Sequence, residues 1–376
     1  MTPDGLSTRF TQSNGNDPIF KLLDGATSPT APDATLEQKR LAYSMLLTKG
    51  LIRVGLPVPA NAEFTLEEVD DPYGYASAKE LSLFRRPLQT ANLKFESTLM
   101  WDGRETATDP NSQRCIVGPL SPSCFATLDA DLMHQINSAV RGHAEAANDL
   151  SAADQRAIVD FENTLFMAQI FSNVAGNLNE GGALGGPAEL AKNNVSFGLI
   201  NPGVDAMTLF AAWRQADHQP LAPNSTAKDA ARASIGRGEA IFNNRKFNLS
   251  AVKQGSCSNC HNSLNSGTDS LARLFNTGVS DGILRSPDLP LYTLKNRLTG
   301  EVVTSTDPGA ALISGKWTDI GRFKTTSLRG ISARPPYFHN GAAKELSEVV
   351  KFYDRHFQIG FTPEETADLT AFLKAL

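Results

Sequence analysis

Cysteine, methionine and histidine are all scarce in this 376-residue chain, at four, six and six. The places they avoid are informative. No methionine follows Met207, so the last part of the chain has no thioether side chain to offer a metal. No apolar run approaches the ~18 residues of a membrane-spanning helix, and no span is expected. Clustered lysine and arginine are missing and the net charge is -5. That excludes a partner held through nucleic-acid phosphates and leaves small molecules and proteins. The opening MTPDGLSTRFTQSNGNDP has no basic stretch followed by an apolar one, so no export signal is legible. Its glycine and asparagine read as a loop. No long-period repeat or low-complexity tract dominates.

What is present is length enough for two compact domains and a globular composition, 41% hydrophobic and 20% charged. Cap patterns announce helices. Thr35 with Gln38 precedes LEQKRLAYSMLL, Ser77 with Glu80 marks a second start, and Ser151 with Asp154 leads into QRAIVDFENTLFMAQIF. Thr362, Pro363 and Glu365 supply the cap, first-turn proline and acid of a last helix, ETADLTAFLKAL. NLNEGGALGGPAEL reads as a surface excursion. HQPLAPNST, with two prolines, reads as a linker before AKDAARASIGRGEAIFNN. These signals predict an all-α chain, mainly helical with long loops, in two domains covering 1–225 and 226–376.

Near the start of the second domain stands GSCSNCHNS, in which Cys257, Cys260 and His261 have CxxCH spacing. A CxxC pair has three common uses: a redox dithiol, half of a zinc site, or covalent haem attachment when histidine follows. The redox use expects a strand before and a helix after, within a βαβ unit, whereas a helical pattern and GRGEAIFNNRKFNLSAVKQGS come before this pair. Zinc needs about four ligands, and no second CxxC or HxxxH occurs. Haem fits the spacing: two cysteines three apart reach the two vinyl groups of one porphyrin, and the next residue places its imidazole under the iron. His261 is then the proximal ligand. Unless Met207 or another first-domain methionine reaches across, the sixth ligand is Tyr353, His339, His356 or none. That composition predicts a low-potential or open-sided haem.

FKTTSLRGISARPPYFHNGAAKELSEVVKFYD, Phe323 to Asp354, together with LMWDGRE, Leu99 to Glu105, resembles signature segments of the bacterial di-haem cytochrome c peroxidase and MauG family. The resemblance covers residues 95–105 and 235–376 well and the remainder only in order and helical character. It implies two cytochrome c-like helical domains with one haem c each, and calcium between them. Carried over by residue, it implies that Cys257, Cys260 and His261 hold the second haem and that Tyr353 is the candidate sixth ligand. Trp101 is a candidate electron relay between haems. Lys324 and Arg329 are candidates to meet haem propionates through charge-assisted hydrogen bonds. His143 and His134 lie where a first-domain haem would find a ligand. Each has a plainer reading: Tyr353 and Trp101 as core, His339 as a backbone partner, His356 as a solvated helix end, and Arg104 with Asp102 as clamps on a turn at Gly103.

The likeness fails in two places. The family's first CxxCH, upstream of the WDGR segment, is missing here, and so is a signal peptide, although haem attachment implies the periplasm. A start placed too late explains both departures with one event, and a true mono-haem protein is the other reading. The acid that peroxidase members place about twenty residues after the tryptophan is Ser121 here, and no Asp or Glu occurs between Asp109 and Asp129. Cys115 and Cys124 within this stretch are expected to form a disulfide outside the cytoplasm. The resulting expectation is a haem oxidoreductase acting on peroxide or another small substrate with a small redox protein as partner. A non-catalytic electron carrier and, more remotely, a zinc or structural module compete with it.

Overall fold

The computed structural model describes residues 2–106, 128–194, 197, 204–214, 222, 224–250 and 252–376. Cys115, Ser121 and Cys124 lie outside them.

The expectation of an all-α chain is overturned. Ten α-helices share the described residues with eleven strands in five small antiparallel sheets, a mixed α/β architecture. The capped helices form where local chemistry favours them. Thr35 and Gln38 make a reciprocal capping box for Leu36–Ala42, and Thr362 with Glu365 does the same for Pro363–Lys374; each such cap is worth about 1 kcal/mol. The first of these helices stops early, Tyr43 separating it from Ser44–Lys49. Ser151 caps Ala152–Glu162 only, not the longer segment. The opening residues are not a loop either: Pro3–Ser13 is helical, with Thr2 capping it and Asn14 closing it in the left-handed conformation.

One strand was hidden by burial. Ser77 and Glu80 cap no helix; they form an isolated bridge just before the strand Leu81–Arg85. All five residues of that strand are buried, so it lacks the alternation that signals a half-exposed strand. It pairs with Ile52–Leu56, and Leu81 and Leu83 pack with Phe64, Tyr292 and Leu294. Phe64–Asp70 pairs in turn with Leu291–Asn296, so residues from both sides of position 225 share one sheet.

Three features position the site. The helix Ala227–Asn244 runs against Pro363–Lys374 so closely that a Cβ on Gly238 would lie 2.0 Å from the Asp368 carbonyl oxygen; only glycine allows that crossing. Around it Phe210, Phe242, Phe372, Leu346 and Val350 form the largest core cluster. The hairpin of Phe247–Ser250 and Lys253–Gly255 delivers the chain into Cys257. The pairing of Leu274–Asn276 with Arg322–Lys324 brings Phe323 and Lys324 to the opposite wall.

Candidate functional site

A cavity of about 340 Å³ opens between these elements, and Cys257, Cys260, His261, Tyr353, Trp101 and His339 all line it. The helix Leu346–Phe357 supplies Tyr353, which stands among Phe338 and Phe357, ring centroids 5.9 and 6.0 Å away, and bonds with Thr277. Burial, reinforced by the Cys260 sulfur, pushes its phenol well above the usual range. No methionine is among the described residues lining the cavity. Met207 packs behind it, against Leu328 and the Gly267 backbone.

His261 is oriented by the turn that follows it. Its Nδ1 lies 2.6 Å from the Gly267 carbonyl oxygen. A carbonyl can only accept, so Nδ1 carries the proton and Nε2 is left with a lone pair, the arrangement of a histidine that ligates a metal. Burial also lowers the imidazole's affinity for a second proton. Gly267 has φ of +78°, and a Cβ there would meet Leu328 and Met207 at 2.8 Å, so the carbonyl can be presented only by glycine. Phe242 packs 5.9 Å from the imidazole.

Burial raises the Cys257 thiol to about 12, with Cys260 adding to the rise, and the Cys260 thiol to about 11. Thiols so far from ionising are poor redox nucleophiles, which weighs against a thioredoxin-like pair. Among the described residues no group of three or more His, Cys, Asp or Glu gathers to hold a metal ion. A mostly apolar cavity with two thiols and a metal-competent imidazole on one wall does fit haem c.

Trp101 sits on the far wall, its Nε1 donating to the Arg86 carbonyl at 2.7 Å and its ring meeting His339 edge-on at 6.1 Å. The turn behind it is clamped as the sequence allowed: buried Asp102 accepts from the Arg104 backbone and pairs with both Arg104 and Arg85, and Arg85 continues to Asp307 at 2.7 Å. His339 stacks on Phe323 at 3.9 Å, its Nε2 3.9 Å from Asp307. Burial depresses its pKa to about 4, so it is neutral.

The other expected residues are placed elsewhere. His143 pairs with Asp24 at 2.6 Å on the surface, and His134 pairs with Glu105; neither lines this cavity. His356 stacks on Phe352 outside it. Arg329, expected at a propionate, does not line the cavity; it is fully buried and donates to the carbonyls of Leu376, Asn265 and Gly186. Lys324 does line the cavity, but its ammonium already meets Glu96 at 2.7 Å and the Thr98 carbonyl. The sequence reading passed over Gly267, Thr277, Gln89 and Arg334. Only Gly267 had a signal, a glycine six residues after the histidine in a turn-like NSGTDS.

No family model matches the chain. A cytochrome-c peroxidase of Denitromonas iodatirespirans is 31% identical over 155 residues, 38% of this chain and 41% of that protein. The methylamine utilization protein MauG of Methylophilus methylotrophus is 24% identical over 343 residues, 89% of this chain and 77% of that one. Among solved structures, a MauG-like protein associated with microbial copper homeostasis has a TM-score of 0.41 at 19% identity, covering 80% of this chain and 75% of that one. The match to the cytochrome-c peroxidases spans about two-fifths of their length. The chain is thus similar to cytochrome-c peroxidases over about two-fifths of its length and to MauG over most of it.

Proposed function

We propose that this chain is a c-type haem oxidoreductase of the cytochrome c peroxidase and MauG type. The observation that carries the reading is the convergence of Cys257, Cys260 and a His261 held in the metal-competent tautomer on one apolar cavity. When bound there, haem supplies reversible one-electron transfer and a Lewis-acidic iron.

The protein's own residues do the rest. Cys257 and Cys260 tether the porphyrin edge, and His261, aimed by Gly267, supplies the proximal nitrogen. Tyr353 faces the same space and is the proposed sixth ligand, a hard oxygen donor in place of methionine, which favours a low potential. Phe242, Phe338 and Phe357 keep water from the iron side. Trp101, held by its bond to the Arg86 carbonyl beside the Asp102–Arg85 pair, is the proposed relay for electrons between this cavity and the segment before residue 225. The domains 1–225 and 226–376 follow from the linker pattern and a periplasmic location from haem attachment; a small redox protein as partner, a second haem and a calcium ion come from the family likeness, and all extend the proposal. Iron and calcium analysis of the purified protein counts the last two.

Peroxide is the proposed substrate. The test is peroxide-dependent oxidation of a reduced small cytochrome, and a rate no greater than that of free haem would remove the peroxidase reading. A non-catalytic carrier is the second reading. One observation favours it: no acid stands between Asp109 and Asp129 to assist O–O cleavage.

A further inference from the structure

The cavity wall carries buried polar atoms that the tether and the ligands leave unexplained. Gln89 Nε2 and Oε1 and Arg334 Nε have no partner among the described residues, and both residues line the cavity. Leaving such a group unpaired is costly, so two side chains in this state lining one cavity mark a place for a ligand group. Arg334 follows the turn Ile331–Ala333. Its Nη2 donates to the Ser327 carbonyl at 3.1 Å, which fixes the guanidinium and leaves the Nε edge available. The nearby Glu96 carboxylate pairs with Lys324, and no ion pair to Arg334 occurs among the described residues.

The surroundings of Arg334 differ from those of the sulfurs. Arg86 donates to the carbonyl of Pro335, the residue after Arg334, at 3.3 Å, whereas Arg273 donates to the Asn259 carbonyl beside Cys260 at 2.6 Å. A porphyrin tethered through its vinyl edge carries its two carboxylates on the opposite edge. An arginine and a primary amide, each with a buried N–H that has no partner among the described residues, are the donors such a carboxylate needs.

We infer that Arg334 and Gln89 hold a haem propionate, Arg334 through a charge-assisted bond from Nε and Gln89 as a neutral second donor. This takes over the role that the sequence assigned to Arg329 and Lys324. It rests on the haem reading of Cys257, Cys260 and His261. The guanidinium favours the reduced haem, which is one charge more negative than the oxidised form, so its removal lowers the reduction potential.

The experiment compares the full chain with Arg334→Gln, Arg334→Lys and Gln89→Leu, all exported in a host that matures c-type cytochromes. Covalent haem per chain is counted first, and the potential is then measured by spectroelectrochemistry. The expected result is full haem in every variant, with the reduction equilibrium of Arg334→Gln lowered about tenfold, which is about 59 mV for one electron. Arg334→Lys keeps most of the wild-type value, and Gln89→Leu falls by less than Arg334→Gln. Unchanged potentials in haem-loaded Arg334→Gln and Gln89→Leu overturn the inference while the haem reading stands. Should Arg334→Gln fail to fold, Gln89→Leu alone decides by the same criterion. Wild-type protein without thioether-bound haem overturns the haem reading itself.

Discussion

Replacing Arg85 with methionine tests how the Trp101 loop is held. Arg85 is 1% exposed; it donates to Asp307 at 2.7 and 2.9 Å and to Asp102. Asp102 is wholly buried and otherwise meets only Arg104, at 3.0 Å, a side chain one-quarter exposed. Among the described residues, methionine of similar volume leaves buried Asp102 with only the partly solvated Arg104 and buried Asp307 with the Gly309 amide and a neutral His339. Breaking a buried pair by removing one partner costs about 3–5 kcal/mol, and that is the predicted loss at neutral pH. The pH dependence has a definite sign. In the native protein burial pushes Asp102 up, but Arg85 and Arg104 outweigh it and hold the carboxyl below its ordinary value. Its contribution is therefore present above the unfolded pKa, about 3.9, and lost as pH falls through the lower folded value. Without Arg85, burial dominates and the folded pKa rises. The variant takes up its proton before the unfolded chain does, so its deficit shrinks as pH drops from 7 toward 5. Urea unfolding at both pH values reads this as a midpoint shift at constant slope. A loss under about 1 kcal/mol at pH 7, or a deficit that does not change with pH, would refute the reasoning.

Gly238→Ala gains roughly 1 kcal/mol of helix propensity but drives a Cβ to 2.0 Å from the Asp368 carbonyl and 2.7 Å from the Phe372 Cβ. The crossing must open, at a cost of about 1–3 kcal/mol or more, so urea denaturation should show net destabilisation; a stabilised variant would show that the two helices are not so closely apposed. Tyr353→Phe should change the optical spectrum of the oxidised haem and leave haem content intact. In the wild type the near-infrared band that marks methionine ligation should be absent, and its presence would remove Tyr353 from the ligand set.

The helices that could be read from the sequence were those whose signals are local. Thr35, Ser151 and Thr362 each bond to a backbone amide three residues on, and no distant residue is needed. The strand Leu81–Arg85 was not legible, because its identity depends on partners about thirty and two hundred residues away. Its cap-like prefix, Ser77 with Glu80, favoured the wrong element. At the site, CxxCH and the WDGR and PYFHNG segments led to Cys257, Cys260, His261, Trp101 and His339, which share one cavity. For Lys324 and Arg329, the propionate candidates, nothing in sequence shows that Glu96, Thr98 and three carbonyls already bond to them. Gln89 and Arg334 stood out only once their buried atoms were found without partners.

The most direct measurement is covalent haem in the purified chain after export, read from the haemochrome spectrum and from haem retained under denaturing conditions. One covalent haem attached at this motif, abolished when Cys257 and Cys260 are both replaced by alanine, is the predicted result. A wild-type chain without covalent haem, or haem that survives the loss of both cysteines, would contradict the account.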